Sequence, residues 1–133
     1  MKRSTAILFY ILEMISGTLL GIFGTKLVIP NKPTLDLNFS IIVTFFTLMA
    51  FAVIGIGIPG FFYSRMINKN KSFGIAIGKA TLGVSLGIIF GVFLSTMTSG
   101  LLPYEISSYL IPILIPILFG VIGFNMGMKA IKN

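Results

Sequence analysis

Four apolar runs, each long enough to cross a lipid bilayer, constrain the fold of this chain more than any other feature of its sequence. A hydrocarbon core of about 30 Å is spanned by roughly 20 helical residues at a rise of about 1.5 Å each. The runs stay apolar on every face, whereas the strands of a membrane barrel alternate polar and apolar residues. The sequence therefore predicts membrane-spanning helices over Thr5–Ile29, Ser40–Tyr63, Phe73–Thr98 and Ile106–Met128.

The fold class that follows is all-α, an integral membrane four-helix bundle in a single transmembrane domain over residues 1–133. Composition agrees, because 56% of the residues are hydrophobic and only 10% are charged, whereas soluble domains carry about 25% charged residues. The opening MKRSTAILFYIL has the basic start of a secretory signal, but its apolar run is longer than the roughly 7 to 15 residues of a signal core. We therefore interpret it as the first spanning helix.

The distribution of positive charge predicts the orientation of the chain. If the helices alternate in direction, eight of the ten lysines and arginines fall at or near one membrane face, and Lys26 and Lys32 fall towards the other. The eight are Lys2, Arg3, Arg65, Lys69, Lys71, Lys79, Lys129 and Lys132. Such an excess is typical of the cytoplasmic side, so both termini and the loop over residues 64–72 are expected to be cytoplasmic in a bacterial-type membrane. The net charge of +7 is expected to attract anionic lipid headgroups, and no nucleic-acid partner is expected.

The two halves of the sequence resemble each other, which predicts an internal repeat. GTLLGI at 17–22 aligns with GVSLGI at 83–88, and GIPGF at 57–61 aligns with GVIGF at 120–124. The repeat halves would be residues 1–66 and 67–133. Two helices return the chain to its starting side, so the halves would be parallel copies related by an axis along the membrane normal.

Glycines four residues apart predict close packing between helices. Gly17 and Gly21 share one face of the first helix, and Gly83, Gly87 and Gly91 share one face of the third. Without side chains, such faces let two backbones approach closely inside a membrane. We expect the glycine faces of the first and third helices to meet. A pore-lining or phosphate-binding role for the glycines is disfavoured, because no phosphate-binding loop accompanies them.

Glu13 is a charged residue inside the first apolar run, where lipid penalises charge by about 2.5 to 3.5 kcal/mol or more. It lies four residues before Gly17, as Lys79 lies four residues before Gly83. The sequence therefore predicts an ion pair between Glu13 and Lys79, with Asn125 as a further candidate member of the cluster. The pair would either fix the register of the helices or serve as a transport site. A lysine partner argues against proton exchange, because it stabilises the ionised carboxylate.

The segment Glu13-Met-Ile-Ser-Gly17-Thr18 resembles the Glu-x-x-Gly-Thr pattern in the first helix of the small multidrug resistance transporters. The resemblance covers about a dozen residues, with a spacing one residue longer, and the tryptophan-bearing motif of that family is absent because the chain has no tryptophan. The resemblance implies a four-helix transporter with Glu13 as its essential carboxylate.

Pro112 and Pro116 predict a kink in the outer half of the fourth helix, because each removes a backbone donor and presses on the preceding turn. Catalysis is not expected. The chain has no histidine or cysteine, and its three carboxylates, Glu13, Asp36 and Glu105, are predicted at different depths. Neither a metal cluster nor an acid-base pair can be assembled from them, so no cofactor is expected.

Two functions remain open at this point. The first is a non-catalytic membrane protein that acts through helix packing as a subunit, an assembly partner or an immunity-type protein. The alternative is a small proton-coupled or channel-like transporter that works as a homo-oligomer, with Glu13 as the titrating carboxylate. The expected partners are the lipid bilayer and either further copies of the chain or other membrane subunits.

Overall fold

The computed structural model describes residues 3–28, 37–67 and 73–126, and all of their regular structure is helical. The helices are α1 (Arg3–Val28), α2 (Leu37–Ile67), α3 (Phe73–Thr98) and α4 (Ile111–Asn125), with a π-helical segment over Ile106–Leu110 leading into α4. The described residues contain four segments that are long and apolar enough to cross a membrane, the fourth of which combines the π-helical segment with α4. The prediction of four apolar helices is thus confirmed.

Most of the basic residues that predict the orientation lie outside the described residues. They are Lys2, Lys32, Lys69, Lys71, Lys129 and Lys132. Of the others, Arg65 is in the last turn of α2 and Lys26 is in the last turn of α1.

The beginning of the fourth span is irregular next to the two prolines. The N–H of Ile111 donates to the carbonyl of Ile106, a bond five residues long that belongs to the π-helical segment. Pro112 follows in the first turn of α4, where a missing N–H costs little, and Pro116 lies inside the helix. The change of helical geometry therefore lies directly before Pro112.

The helices form two hairpins, α1 with α2 and α3 with α4, which pack side by side. Between the hairpins, α2 contacts α3, α1 contacts α4, and α2 also contacts α4 across the middle. The core lies along this middle contact, where Ile56 of α2 and Ile117 of α4 are fully buried. Within the described residues no Cα atom of α1 comes within 8 Å of a Cα atom of α3.

The predicted seam between the first and third helices is therefore wrong, and the glycines face other partners. A Cβ atom added at Gly17 would meet Ile56 and Ile117, which belong to α2 and α4. A Cβ atom at Gly87 would stand 2.6 Å from the Cα of Pro116. The remaining predicted packing glycines also face a hairpin partner, with Gly21 beside Leu48, Gly83 beside Phe119 and Gly91 beside Ile115.

Candidate functional site

Glu13 is fully buried between α1 and α4, and its carboxylate accepts a hydrogen bond from the side chain of Asn125. The distance from Nδ2 of Asn125 to Oε2 of Glu13 is 2.5 Å. Glu13 is in the first half of α1 and Asn125 is the last residue of α4. The two meet because α1 begins at the end of the bundle where α4 ends.

The amide of Asn125 uses both of its N–H groups. Besides the bond to Glu13, Nδ2 donates to the carbonyl oxygen of Val121 over 2.9 Å. Both partners are acceptors, so the NH₂ group and not the amide oxygen must face them. Within the described part of the chain, two buried oxygens have no hydrogen-bond partner, Oε1 of Glu13 and Oδ1 of Asn125.

An aromatic group from α2 closes the site towards the bundle end. Tyr63 is only 1% exposed, and its ring lies 5.8 Å from that of Tyr10 and 5.1 Å from that of Phe9. Its phenol group lies within electrostatic range of Glu13. The carboxylate is thus buried where α1 meets α4, with Tyr63 of α2 in its vicinity.

Lys79 has a different partner from the predicted one. Its Nζ donates to the backbone carbonyl oxygen of Met126 at 3.2 Å, and the described residues contain no ion pair between Lys79 and Glu13. The physical reason is the helix arrangement, in which α2 and α4 separate α1 from α3. A lysine is well placed at the carboxyl end of a helix such as α4, where carbonyl groups lack partners within the helix.

A groove of about 520 Å³ runs along the outer side of the α1–α4 contact, next to the buried pair. Its walls are mostly aliphatic, and Asn125 and Tyr10 are its polar members. The aliphatic walls include Ile7, Ile11, Ile15, Leu118 and Ile122. Asn125 therefore connects the enclosed carboxylate with the surface of the bundle.

The described residues offer no group of carboxylate, histidine or cysteine side chains that could hold a metal ion. Glu105 is exposed beyond the far end of α3, in the connection to α4. Asp36 lies outside the described residues. The chemistry that this site can perform is hydrogen bonding and proton exchange at one carboxyl group.

The structure brings together two of the three residues in the predicted cluster, Glu13 and Asn125, and leaves Lys79 out. Sequence reasoning does not identify Tyr63 as a member of the site. Its position near the end of a span is typical of a tyrosine at a membrane interface, and no local signal indicates burial beside Glu13.

Comparisons with known proteins add no relative, since no family model, no curated protein and no solved structure matches the chain.

Proposed function

We propose that this chain is a small proton-coupled or channel-like membrane transporter in which Glu13 is the titrating carboxylate. The observation that carries the proposal is the burial of Glu13 in an apolar span beside a neutral amide, with no cation as its partner among the described residues. The sequence argument against proton exchange depends on Lys79, and Lys79 bonds elsewhere. Ionisable residues inside membrane spans commonly belong to ion or proton pathways.

The second contact between the hairpins supports a functional role for the buried pair. A groove of about 490 Å³ follows the α2–α3 contact and is lined by apolar residues only. Aromatic packing holds this contact, with the rings of Phe61 and Phe73 at 5.3 Å. Two hairpins can therefore pack together here without a polar pair, so packing alone does not require the carboxylate and amide at the α1–α4 contact.

The two grooves also support the proposed parallel repeat. Ile7 and Ile11 of the α1–α4 groove are 66 positions before Phe73 and Ile77 of the α2–α3 groove, the same offset as between the GTLLGI and GVSLGI segments. Gly55 of α2 approaches Gly17, the first glycine of GTLLGI, and Gly120 of α4 approaches Gly83, the first glycine of GVSLGI. Gly55 and Gly120 therefore occupy equivalent positions in the two hairpins. The alignment of GIPGF with GVIGF pairs Gly57 with Gly120 instead. For the second helix of each repeat, the contacts therefore favour an offset of 65, from Gly55 to Gly120.

We further propose that the hairpins are the moving parts. Within a hairpin, helices meet backbone to backbone, as Gly87 meets Pro116, and such packed faces do not deform gradually. Between hairpins, the contacts run through side chains and leave grooves. Rocking of one hairpin against the other would change the access to Glu13, as repeat units do in transporters with internal repeats.

Orientation and assembly belong to the same proposal. The uneven distribution of lysine and arginine supports cytoplasmic termini in a bacterial-type cytoplasmic membrane. A homo-oligomer is proposed because four helices rarely enclose a substrate pathway alone.

Reconstitution into liposomes that contain a pH-sensitive dye tests this function. With an imposed pH gradient, the wild-type protein should pass protons, and Glu13→Gln should abolish the flux because glutamine has no titrating proton. The matched control is Glu105→Gln, which removes an exposed carboxylate far from the site and should leave the flux unchanged. Wild-type liposomes without flux, or equal flux in wild type and Glu13→Gln, would contradict the proposal.

The second candidate is a non-catalytic subunit, assembly partner or immunity-type protein that acts through helix packing. It is favoured by the hydrogen bond from Asn125 to Glu13, which ties the end of α4 to α1 and can serve to fix helix register. Under this function the wild-type liposomes would be silent, and substitutions at Glu13 would change stability alone. Mass measurement in detergent would then show whether the chain assembles with itself.

A further inference from the structure

We infer that Glu13 and Asn125 form a proton-binding site in which a neutral carboxylic acid and an amide share two hydrogen bonds. Nδ2 of Asn125 donates to Oε2 of Glu13, as observed, and a proton on Oε1 of Glu13 donates to Oδ1 of Asn125. The inference rests on the proposed role of Glu13 as the titrating carboxylate. It goes further in two ways. It assigns the protonated acid as the resting state of the site, and it assigns Asn125 as the residue that makes the site selective for a proton.

The hydrogen-bond balance of the site supports this assignment. Both N–H groups of Asn125 are in use, so the amide has no donor left for either oxygen without a partner. Those two oxygens, Oε1 of Glu13 and Oδ1 of Asn125, are both acceptors in the ionised state. A single proton on Oε1 turns one of them into a donor and gives a partner to both.

Among the residues that the structure describes, none places a positive charge beside Glu13 to balance an ionised carboxylate. Tyr63 on α2 lies within electrostatic range of it and packs against Tyr10 of α1, and a phenol group supplies no positive charge. From α4 the facing group is the amide of Asn125. On α3, Lys79 donates to the carbonyl of Met126, and α3 does not contact α1 in the described part of the chain. Because an unpaired buried charge is far more costly than a buried neutral acid with hydrogen bonds, the protonated form suits this enclosure.

Asn125 also explains why the site would take a proton and not a metal cation. A carboxamide presents one donor and one acceptor in the same plane, which matches the acceptor and donor of a carboxylic acid. Hard cations such as calcium need about 6 to 8 oxygen ligands, or several waters in the case of magnesium, and the described residues provide no cluster of metal-binding side chains.

Infrared spectroscopy of the purified protein tests the inference directly. The measurement is made near neutral pH in a detergent without ester groups, so that no lipid carbonyl overlaps the carboxylic acid band. The wild type should show a carboxylic acid C=O band that shifts in D₂O and is lost in Glu13→Gln. Glu105→Gln should keep the band. Asn125→Ala should move it to the higher frequency of a carbonyl that has lost a hydrogen bond, and Asn125→Gln should give a smaller shift.

The result that overturns the inference is a carboxylate signal from Glu13 in the wild type and no acid band, whatever water or cation then occupies the site. If Asn125→Ala does not fold, the difference between wild type and Glu13→Gln still decides the protonation state. A band that does not respond to any folded Asn125 variant would refute the role of the amide. An acid band without proton flux in liposomes would refute the proposed transport and leave this inference standing. Proton flux without an acid band would refute this inference and leave the proposed transport standing.

Discussion

Gly55 of α2 lies against Gly17 of α1 so closely that a Cβ atom at position 55 would stand 2.7 Å from the Cα of Gly17. The same Cβ atom would stand 2.5 Å from the carbonyl oxygen of Ser16, whose hydroxyl group donates to the carbonyl of Gly55. Backbone contact and an interhelical hydrogen bond thus occur at one point of the first hairpin. In a membrane, where lipid is as apolar as the helices, such contacts are a main source of association.

Gly55→Ala is expected to destabilise the protein by about 1 to 3 kcal/mol, the usual range for overpacking a close contact. The obstructing atoms belong to the backbone, so no side chain can rotate away to make room. The measurement is a denaturant or thermal unfolding curve in mixed micelles, followed by helical circular dichroism.

Gly78→Ala is the matched control for this prediction. Gly78 lies in the interior of α3, and a Cβ atom there would meet nothing within 4 Å. Alanine is favoured over glycine inside a helix by about 0.5 to 1 kcal/mol, so this variant should be neutral or slightly more stable. Equal losses at both positions would show that the tight α1–α2 contact does not control stability.

The hydrogen bond between Glu13 and Asn125 predicts energetic coupling across the α1–α4 contact. Glu13→Ala, Asn125→Ala and the double variant complete a thermodynamic cycle. Interhelical hydrogen bonds in membranes are worth on average about 0.6 kcal/mol and at most about 1.7 kcal/mol, so a coupling in that range is expected. The double variant should lose less than the sum of the two single losses, because each single change leaves a buried polar partner alone.

The unfolding free energies of the four proteins give the coupling. Thr18 supplies a control, since its hydroxyl bonds within α1 to the carbonyl of Met14. Thr18→Ala should therefore be additive with Asn125→Ala. Coupling that is indistinguishable from zero between Glu13 and Asn125 would mean that the hydrogen bond contributes nothing to the folded state.

Gly100 predicts a backbone effect that is independent of packing. It has a φ of +89° in the connection after α3, and a Cβ atom there would meet nothing within 4 Å. Gly100→Ala should therefore cost about 1 to 3 kcal/mol through backbone strain alone, and Gly100→Asn should cost less, because asparagine tolerates positive φ better than alanine. Thermal unfolding of both variants checks the order, and equal stability of alanine, asparagine and glycine at this position would contradict it.

The positions of the helices could be predicted from sequence because hydropathy over a window of about 20 residues is a local property. The partners of the helices could not, because a glycine face on α1 fits a small face on any neighbour. The backbone that approaches Gly17 belongs to Gly55 of α2, and the glycine pattern of α1 contains nothing that selects α2 over α3 as its neighbour.

The expected ion pair fails for a reason that applies to parallel repeats in general. Glu13 and Lys79 are equivalent in the proposed repeat, and equivalent residues are related by the repeat axis. They can meet only if their helices lie next to that axis, and here α2 and α4 occupy the middle. Burial of Glu13 follows from the lipid penalty on charge alone, whereas its partner depends on which hairpins pack together, which no local pattern encodes.

The separation of Lys79 from Glu13 gives the last prediction, because an ion pair and the observed arrangement differ in the size of each single loss and in whether the two losses add. Lys79 donates to the carbonyl of Met126, so Lys79→Met should cost no more than about 1 kcal/mol, the typical net value of one hydrogen bond. Combined with Glu13→Ala, its effect should add within about 0.3 to 0.5 kcal/mol, as it does for sites without shared partners. If the two residues formed a buried ion pair, each single change would strand a charge and cost about 3 to 5 kcal/mol, and the double variant would recover much of that loss. Unfolding free energies of the two single variants and the double variant distinguish these outcomes, and a strongly non-additive result would require α1 and α3 to be neighbours.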